Sequence, residues 1–222
     1  RVVNIGICGL GTVGSGVYNV ISRNLAAINA RGNCEIKIAQ IGCRRDNPDC
    51  ALSATPVTRD IFEVAKNPDI NVVVELIVGT TTAYKLVMTA LENGKHVVTA
   101  NKALIAEHGM EIFSEAESRG LMVCYEAAVA GGIPIIKSLR EGLSANRVNW
   151  LAGIINGTTN FILSEMDTKG RNFNDVLIEA QEKGYAEADP TFDVEGIDAS
   201  HKLAILASIA FSTPLSLKGL FT

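Results

Sequence analysis

Three glycines set between a β-branched run and a helical pattern constrain this chain more than any other feature. Val2–Cys8 reads as a short strand, and Gly9-Leu10-Gly11-Thr12-Val13-Gly14 follows it. Apolar residues then recur at 13, 17, 20, 21, 25 and 28, with the period of a helix. Alone, G-x-G-x-x-G is a weak pattern. Between a strand and a helix it has a mechanism: Gly9 permits the tight turn, Gly11 lets the backbone approach a pyrophosphate, and Gly14 lets the helix pack closely on the strand. The first helical turn, at Thr12 and Val13, offers N–H groups and a positive dipole end to phosphates. Dinucleotide binding at Gly9, Gly11, Thr12, Val13 and Gly14 is the expectation; the plainer reading is a glycine turn without a ligand.

The alternation continues. Strands are expected at Glu35–Cys43, Asn71–Val78, His96–Ala100 and Leu121–Tyr125, with helices at Ile61–Lys66, Ala83–Asn93 and Leu104–Arg119. The run Asn71–Val78 is almost wholly apolar, as a strand covered on both faces would be. Such β-α-β order means a parallel, doubly wound α/β sheet of Rossmann type. At Ala127–Pro134 the sequence becomes small and turn-prone, which places a domain boundary at 128/129. Beyond it we expect a helix at Ile135–Leu143, a strand at Val148–Ile155, and further helices including Phe173–Lys183 and Val194–Phe211. Residues 129–222 therefore read as an α+β domain. With no initiator Met at its start and no cap or charged tail after Phe221-Thr222, the chain reads as a fragment truncated at its C-terminal side.

Cofactor choice should be written where the second strand ends, at Gly42-Cys43-Arg44-Arg45-Asp46. An acid there serves the ribose hydroxyls of NAD, whereas arginine suits a 2′-phosphate, which its guanidinium can hold in a bidentate way. Arg44 and Arg45 favour NADP(H); Asp46 keeps NAD(H) open, and a charge run in a loop is often merely solvated.

Composition removes other classes. Of 222 residues 47% are hydrophobic, enough for a full core without staples, and disorder is excluded. Twenty basic against 24 acidic groups, net −4, argue against nucleic acid as a partner. No apolar run approaches the roughly 18 residues of a membrane span. The five cysteines form no Cys-x-x-Cys pair and the three histidines are scattered, so a zinc site or disulfide framework is not expected. Free thiols fit a reducing cytoplasm.

Three further segments go beyond a generic nucleotide fold. They are Ala100-Asn101-Lys102-Ala103-Leu104, Gly153-Ile154-Ile155-Asn156-Gly157-Thr158-Thr159-Asn160-Phe161-Ile162, and Gly184-Tyr185-Ala186-Glu187-Ala188-Asp189-Pro190-Thr191 running on to Gly196-Ile197-Asp198. Together with the glycine turn they closely resemble homoserine dehydrogenase, and the resemblance covers the whole chain. It implies reversible NAD(P)H-dependent reduction of aspartate 4-semialdehyde to homoserine, on the way to threonine and methionine. It also implies a homodimer built through the second domain.

The resemblance gives roles to particular residues. Lys102, just past the end of a parallel strand where ligands bind in open sheets, would lie beside the nicotinamide and the substrate carbonyl; it otherwise reads as a loop lysine. Gly79 and Thr80 would touch the cofactor, although Val78-Gly79 departs from the family's Gly-Gly. Asp198 and Lys202 are four apart on one helix face, which by spacing alone reads as a surface salt bridge. By resemblance Lys202 is the proton donor and Asp198 the carboxylate that orients it. Glu187 would bind the substrate's ammonium; the plainer reading is a solvated acidic loop. Glu126, with the carbonyls of Val129, Gly131 and Ile133, would hold a structural sodium ion, where the residues alone suggest an inter-domain hinge.

Two rivals remain in view. An acylating semialdehyde dehydrogenase would need a thiolate beside a histidine, and no cysteine here has such a partner in sequence. A nucleotide-binding module without catalysis would have no use for Lys102, Glu187, Asp198 and Lys202 together.

Overall fold

The computed structural model describes residues 1–52 and 55–221. It divides into two compact units, Arg1–Gly132 and Ile133–Thr222, so the division falls four residues beyond the expected 128/129, still inside the small-residue turn.

The first unit is a parallel sheet with helices. In chain order it runs β1 (Val2–Cys8), α1 (Thr12–Gly32), β2 (Glu35–Gly42), β3 (Val57–Thr58), α2 (Ile61–Lys66), β4 (Val72–Glu75), α3 (Thr81–Glu92), β5 (His96–Thr99), α4 (Lys102–Ser118) and β6 (Val123–Cys124). The strand order is β3-β2-β1-β4-β5-β6, and every pairing is parallel. The short β3 escaped the sequence reading, because two residues carry no periodicity. β4 ends at Glu75 rather than Val78, since the chain leaves the sheet there. β1 and β4 are central, and Ile7, Val73 and Val97 are completely buried, as a sheet covered on both faces requires. The order reverses between β1 and β4, so the crevice beyond the carboxyl ends of these two strands is where a ligand fits such a sheet.

Two glycines hold the start of α1 against that crevice. Gly9 has φ +103, a conformation that disfavours any side chain, and a Cβ there would lie 2.4 Å from the Leu76 carbonyl oxygen. At Gly14 a Cβ would lie 2.0 Å from the carbonyl oxygen of Gly9. The absent side chains let the helix begin directly over the end of β1.

The second unit is built differently from the expectation. Val148–Ile155 forms no strand, and Trp150 and Ile154 are 76% and 80% exposed. A strand needs a neighbour for its backbone groups, and among the described residues this unit contains no strand. The helix expected over 135–143 is one short turn, α5 (Ile135–Lys137), passing into a wider turn at Ser138–Gly142. α6 (Gly157–Lys169) and α7 (Phe173–Glu182) pack through Ile162, Val176, Ala180 and Ala186. The short α8 (Thr191–Val194) and α9 (Ile197–Ala210) follow.

Gly14→Ala tests the close approach. The methyl meets backbone rather than a movable side chain, so we expect a loss of roughly 1–3 kcal/mol in urea unfolding of the first unit. An unchanged midpoint would mean that the helix start yields without cost.

Candidate functional site

The crevice is a cleft of about 600 Å³ lined by Gly9, Leu10, Gly11, Gly42–Arg45, Ile61, Leu76–Val78 and Thr82. It brings the glycine turn, both arginines and the segment after β4 onto one surface. Gly11 caps α1 and, as glycine, contributes no capping side chain, and the first turn holds no acid. The N–H groups at Thr12 and Val13 and the dipole's positive end are thus uncompensated by side-chain charge, which suits an anion. Gly11 has no heavy atom within 4 Å of where a Cβ would sit, so the backbone is open to close approach. Val78 is 96% exposed. Gly79 follows with φ +89, and Thr80 precedes α3 without a side-chain bond to its first turn.

A buried carboxylate knits the two segments that flank this cleft. Glu75, fully buried at the end of β4, accepts from the Ile77 N–H at 2.8 Å and from the Thr99 hydroxyl at 2.5 Å. The Thr99 oxygen in turn accepts from the Asn101 N–H at 2.9 Å. Asn101 closes the ring: its Nδ2 donates to the Gly79 carbonyl at 2.9 Å, while its Oδ1 caps α4 by accepting from Leu104 N–H at 3.0 Å. The ring registers Lys102, the first residue of α4, against Gly79. A cation in a first helical turn opposes the dipole, so helix stability does not account for lysine here. Burial holds the Glu75 carboxyl above the ordinary carboxylate range, against the pull of its bonds from Thr99 and Ile77.

Three of the five thiols, Cys8, Cys43 and Cys50, are buried. Burial, aided by the charge of Glu75, pushes the Cys8 thiol far up, and burial likewise raises Cys43 and Cys50. A raised thiol is a poor source of thiolate.

The second unit holds a polar cluster of its own. Lys202 Nζ lies 2.6 Å from Asp198 Oδ2 and 2.7 Å from the Ile155 carbonyl oxygen. Asp198 is 4% exposed, so the pair is not the surface salt bridge that spacing alone suggests. Asn156 is its hub. It donates to Asp198 Oδ2 at 2.9 Å and to Asp193 Oδ1 at 2.7 Å, and its Oδ1 caps α6 by accepting from the N–H and hydroxyl of Thr159, each at 2.8 Å. Glu187 is exposed on the turn after α7, its backbone carbonyl accepting from Gln181 at 3.1 Å. Glu126 is half-buried in a single turn, Glu126–Ala128; Val129 is buried, while Gly131 and Ile133 are exposed. The Ile133 carbonyl accepts from Ile135 N–H at 2.8 Å.

Glu75, Thr99, Asn101, Asn156 and Asp193 were not among the site residues expected from sequence. Asn101 and Asn156 carry a local signal, an Asn immediately before a helix. Their second bonds, to residues 22, 37 and 42 positions away, leave no local signal.

A parallel sheet in this order, with a glycine turn at its switch point, defines the first unit as a Rossmann-like dinucleotide-binding domain. Family models agree: "Homoserine dehydrogenase, NAD binding domain" matches residues 9–126 and "Homoserine dehydrogenase" matches residues 134–221. A curated homoserine dehydrogenase of Pseudomonas aeruginosa is 67% identical over 220 residues, 99% of this chain and 51% of the relative. The crystal structure of a homoserine dehydrogenase from Thiobacillus denitrificans superposes with TM-score 0.92 at 56% identity, covering 98% of this chain and 51% of that one. A hyperthermophilic archaeal homoserine dehydrogenase in complex with NADPH matches with TM-score 0.84 at 26% identity, over 100% of this chain and 75% of that one. The chain belongs to the homoserine dehydrogenase family, a family of oxidoreductases of amino-acid biosynthesis. It spans about half the length of the curated relatives it matches. Among the described residues no helix is long and apolar enough to cross a membrane.

Two measurements check the clusters. A carboxyl whose folded value is raised binds more protons folded than unfolded. Its contribution to stability is therefore greatest at low pH and declines as pH rises from 4.5 through the raised value. Relative to wild type, Glu75→Gln should gain stability with rising pH across that window in urea melts; a pH-independent difference would reject the shift. Asn156→Asp keeps the cap on α6 but replaces two donors by a third carboxylate. Its destabilisation, about 1–3 kcal/mol or more near neutrality, should shrink as acid protonates the cluster.

Proposed function

We propose that this chain carries out, within the whole enzyme, the reversible NAD(P)H-dependent reduction of L-aspartate 4-semialdehyde to L-homoserine. The observation that carries the reading is the pairing of half-buried Lys202 with buried Asp198, held by Asn156 and the Ile155 carbonyl, on a chain whose first unit opens with a glycine turn and helix start suited to a pyrophosphate.

Gly9, Gly11, Thr12, Val13 and Gly14 would hold the pyrophosphate, and Arg44 and Arg45 a 2′-phosphate, so NADP(H) is preferred over NAD(H). Gly79, Thr80 and Lys102 would meet the nicotinamide end. When bound, the nicotinamide supplies the hydride. The chain's own task is to orient the substrate and manage one proton. Glu187 takes the substrate's α-ammonium by a charge-assisted bond. Two of the three Lys202 donors are directed at Asp198 and Ile155 O; the third goes to the substrate oxygen, which gains its proton there in the reductive direction. Asp198 fixes the rotamer of Lys202. Lys102 adds positive charge to polarise the carbonyl. Glu126 with the Val129, Gly131 and Ile133 carbonyls is an all-oxygen set of the kind hard cations take, which supports a structural sodium. A homodimer working in the cytoplasm, on the route to threonine and methionine, completes the reading.

The test is Lys202. General acid–base catalysis contributes typically 10²–10⁴-fold, so Lys202→Ala should lower turnover of aspartate semialdehyde by about that factor while NADPH binding survives. Lys202→Arg should not rescue, because guanidinium keeps the charge but does not release its proton near neutrality. A folded arginine variant with most of its turnover would remove Lys202 as the acid and leave it an orienting partner of Asp198.

A further inference from the structure

The turn that carries Arg44 and Arg45 is held at both ends by one side chain that the proposed mechanism does not use. Arg59 follows β3, which pairs with the end of β2. Its Nη1 donates to the Cys43 carbonyl at 3.2 Å and approaches Cys43 Sγ at 3.4 Å, while Nη2 donates to Asp46 Oδ1 at 3.0 Å. One guanidinium thus joins the first and last residues of the turn Cys43–Asp46. The backbone reinforces the grip, since Cys43 N–H donates to the Thr58 carbonyl at 3.0 Å. On the other side Asn47 Nδ2 donates to the Leu10 carbonyl at 3.1 Å, tying the same loop to the glycine turn. Between these anchors Arg44 and Arg45 line the cleft.

The partner of Arg59 matters as much as the clamp. An acid at the end of the second strand is what serves the ribose hydroxyls in NAD-selective domains. Asp46, four residues beyond the last residue of β2, is the first acid after that strand, and its carboxylate is turned to Arg59. An ion pair whose side chains are 56% and 61% exposed adds little to stability. Its effect is to fix where one negative charge points. Free of Arg59, Asp46 could turn towards a ribose, attracting hydroxyls and repelling a phosphate.

We infer that Arg59 is a positioning residue that sets cofactor selectivity: it occupies Asp46 and braces the Cys43–Asp46 turn, so that the cleft presents arginines to a 2′-phosphate and no carboxylate. The inference rests on the reading of Arg44 and Arg45 as the phosphate site. Both terminal nitrogens of Arg59 are committed to the turn, so it acts through its neighbours.

Titrations of the full chain with NADPH and with NADH, at one fixed ionic strength because exposed charges are screened, separate the possibilities. Arg44→Ala/Arg45→Ala should weaken NADPH selectively, which tests the phosphate site itself. Arg59→Ala should weaken NADPH by on the order of five- to tenfold, the scale of one nearby like charge in water, and leave NADH equal or tighter. Adding Asp46→Ala to Arg59→Ala should restore most of the NADPH affinity, since the uncovered carboxylate is gone. Equal losses for both nucleotides in Arg59→Ala would reduce it to a structural brace. A selective loss that Asp46→Ala fails to rescue would mean that Arg59 meets the phosphate directly. Either result overturns the inference while the phosphate site stands. No selective loss in Arg44→Ala/Arg45→Ala would overturn both.

Discussion

The carbonyl oxygen of Gly9 lies 2.0 Å from where a side chain at residue 14 would begin. That contact brings the first turn of α1 onto the end of β1, and much of the first unit's function follows from it. The helix N-terminus then faces the crevice at the strand-order reversal. N–H groups at such a helix start, with the positive end of the dipole, suit an anion without any cationic side chain. The arginines after β2 and the segment after β4 complete the cleft because parallel strands deliver all their following loops to one edge of the sheet.

Buried polar side chains do the remaining positioning, one cluster in each unit. In the first, Glu75, Thr99 and Asn101 link the loop after β4 to the start of α4. In the second, Asn156 joins the cap of α6 to carboxylates on α8 and α9. Glu75, Thr99, Asn156 and Asp198 are buried, and leaving one of them unpaired would cost about 1–3 kcal/mol. That penalty makes such clusters rigid, and rigidity is what a site needs to hold Lys102 or Lys202 in one place. Asn serves as the hub because its amide both accepts and donates. An aspartate would keep the cap and lose the donors.

The β-α-β order, the parallel sheet and the glycine turn were legible in the chain because each rests on local periodicity or on residues adjacent in sequence. Asp198 and Lys202 were legible as a pair for the same reason, being one helical turn apart. Their burial was not, because it depends on Ile155 and Asn156, more than 40 residues earlier. The strand expected at Val148–Ile155 shows the opposite error. Its apolar content is real, but a strand exists only where another backbone pairs with it, and nothing within eight residues reports on a neighbour.

By itself, then, the sequence determined the α/β class and the glycine turn that opens α1, and it supplied the residue types on which the proposed chemistry rests. These follow from backbone sterics and side-chain chemistry, which a residue carries wherever it stands. Only the tertiary structure decided that Glu75 closes a ring through Asn101, that Asn156 bridges two acids, and that Arg59 pairs with Asp46. These are hydrogen bonds between groups tens of residues apart in most cases. They form only after the sheet and helices have packed, when desolvation leaves each polar group few partners within reach.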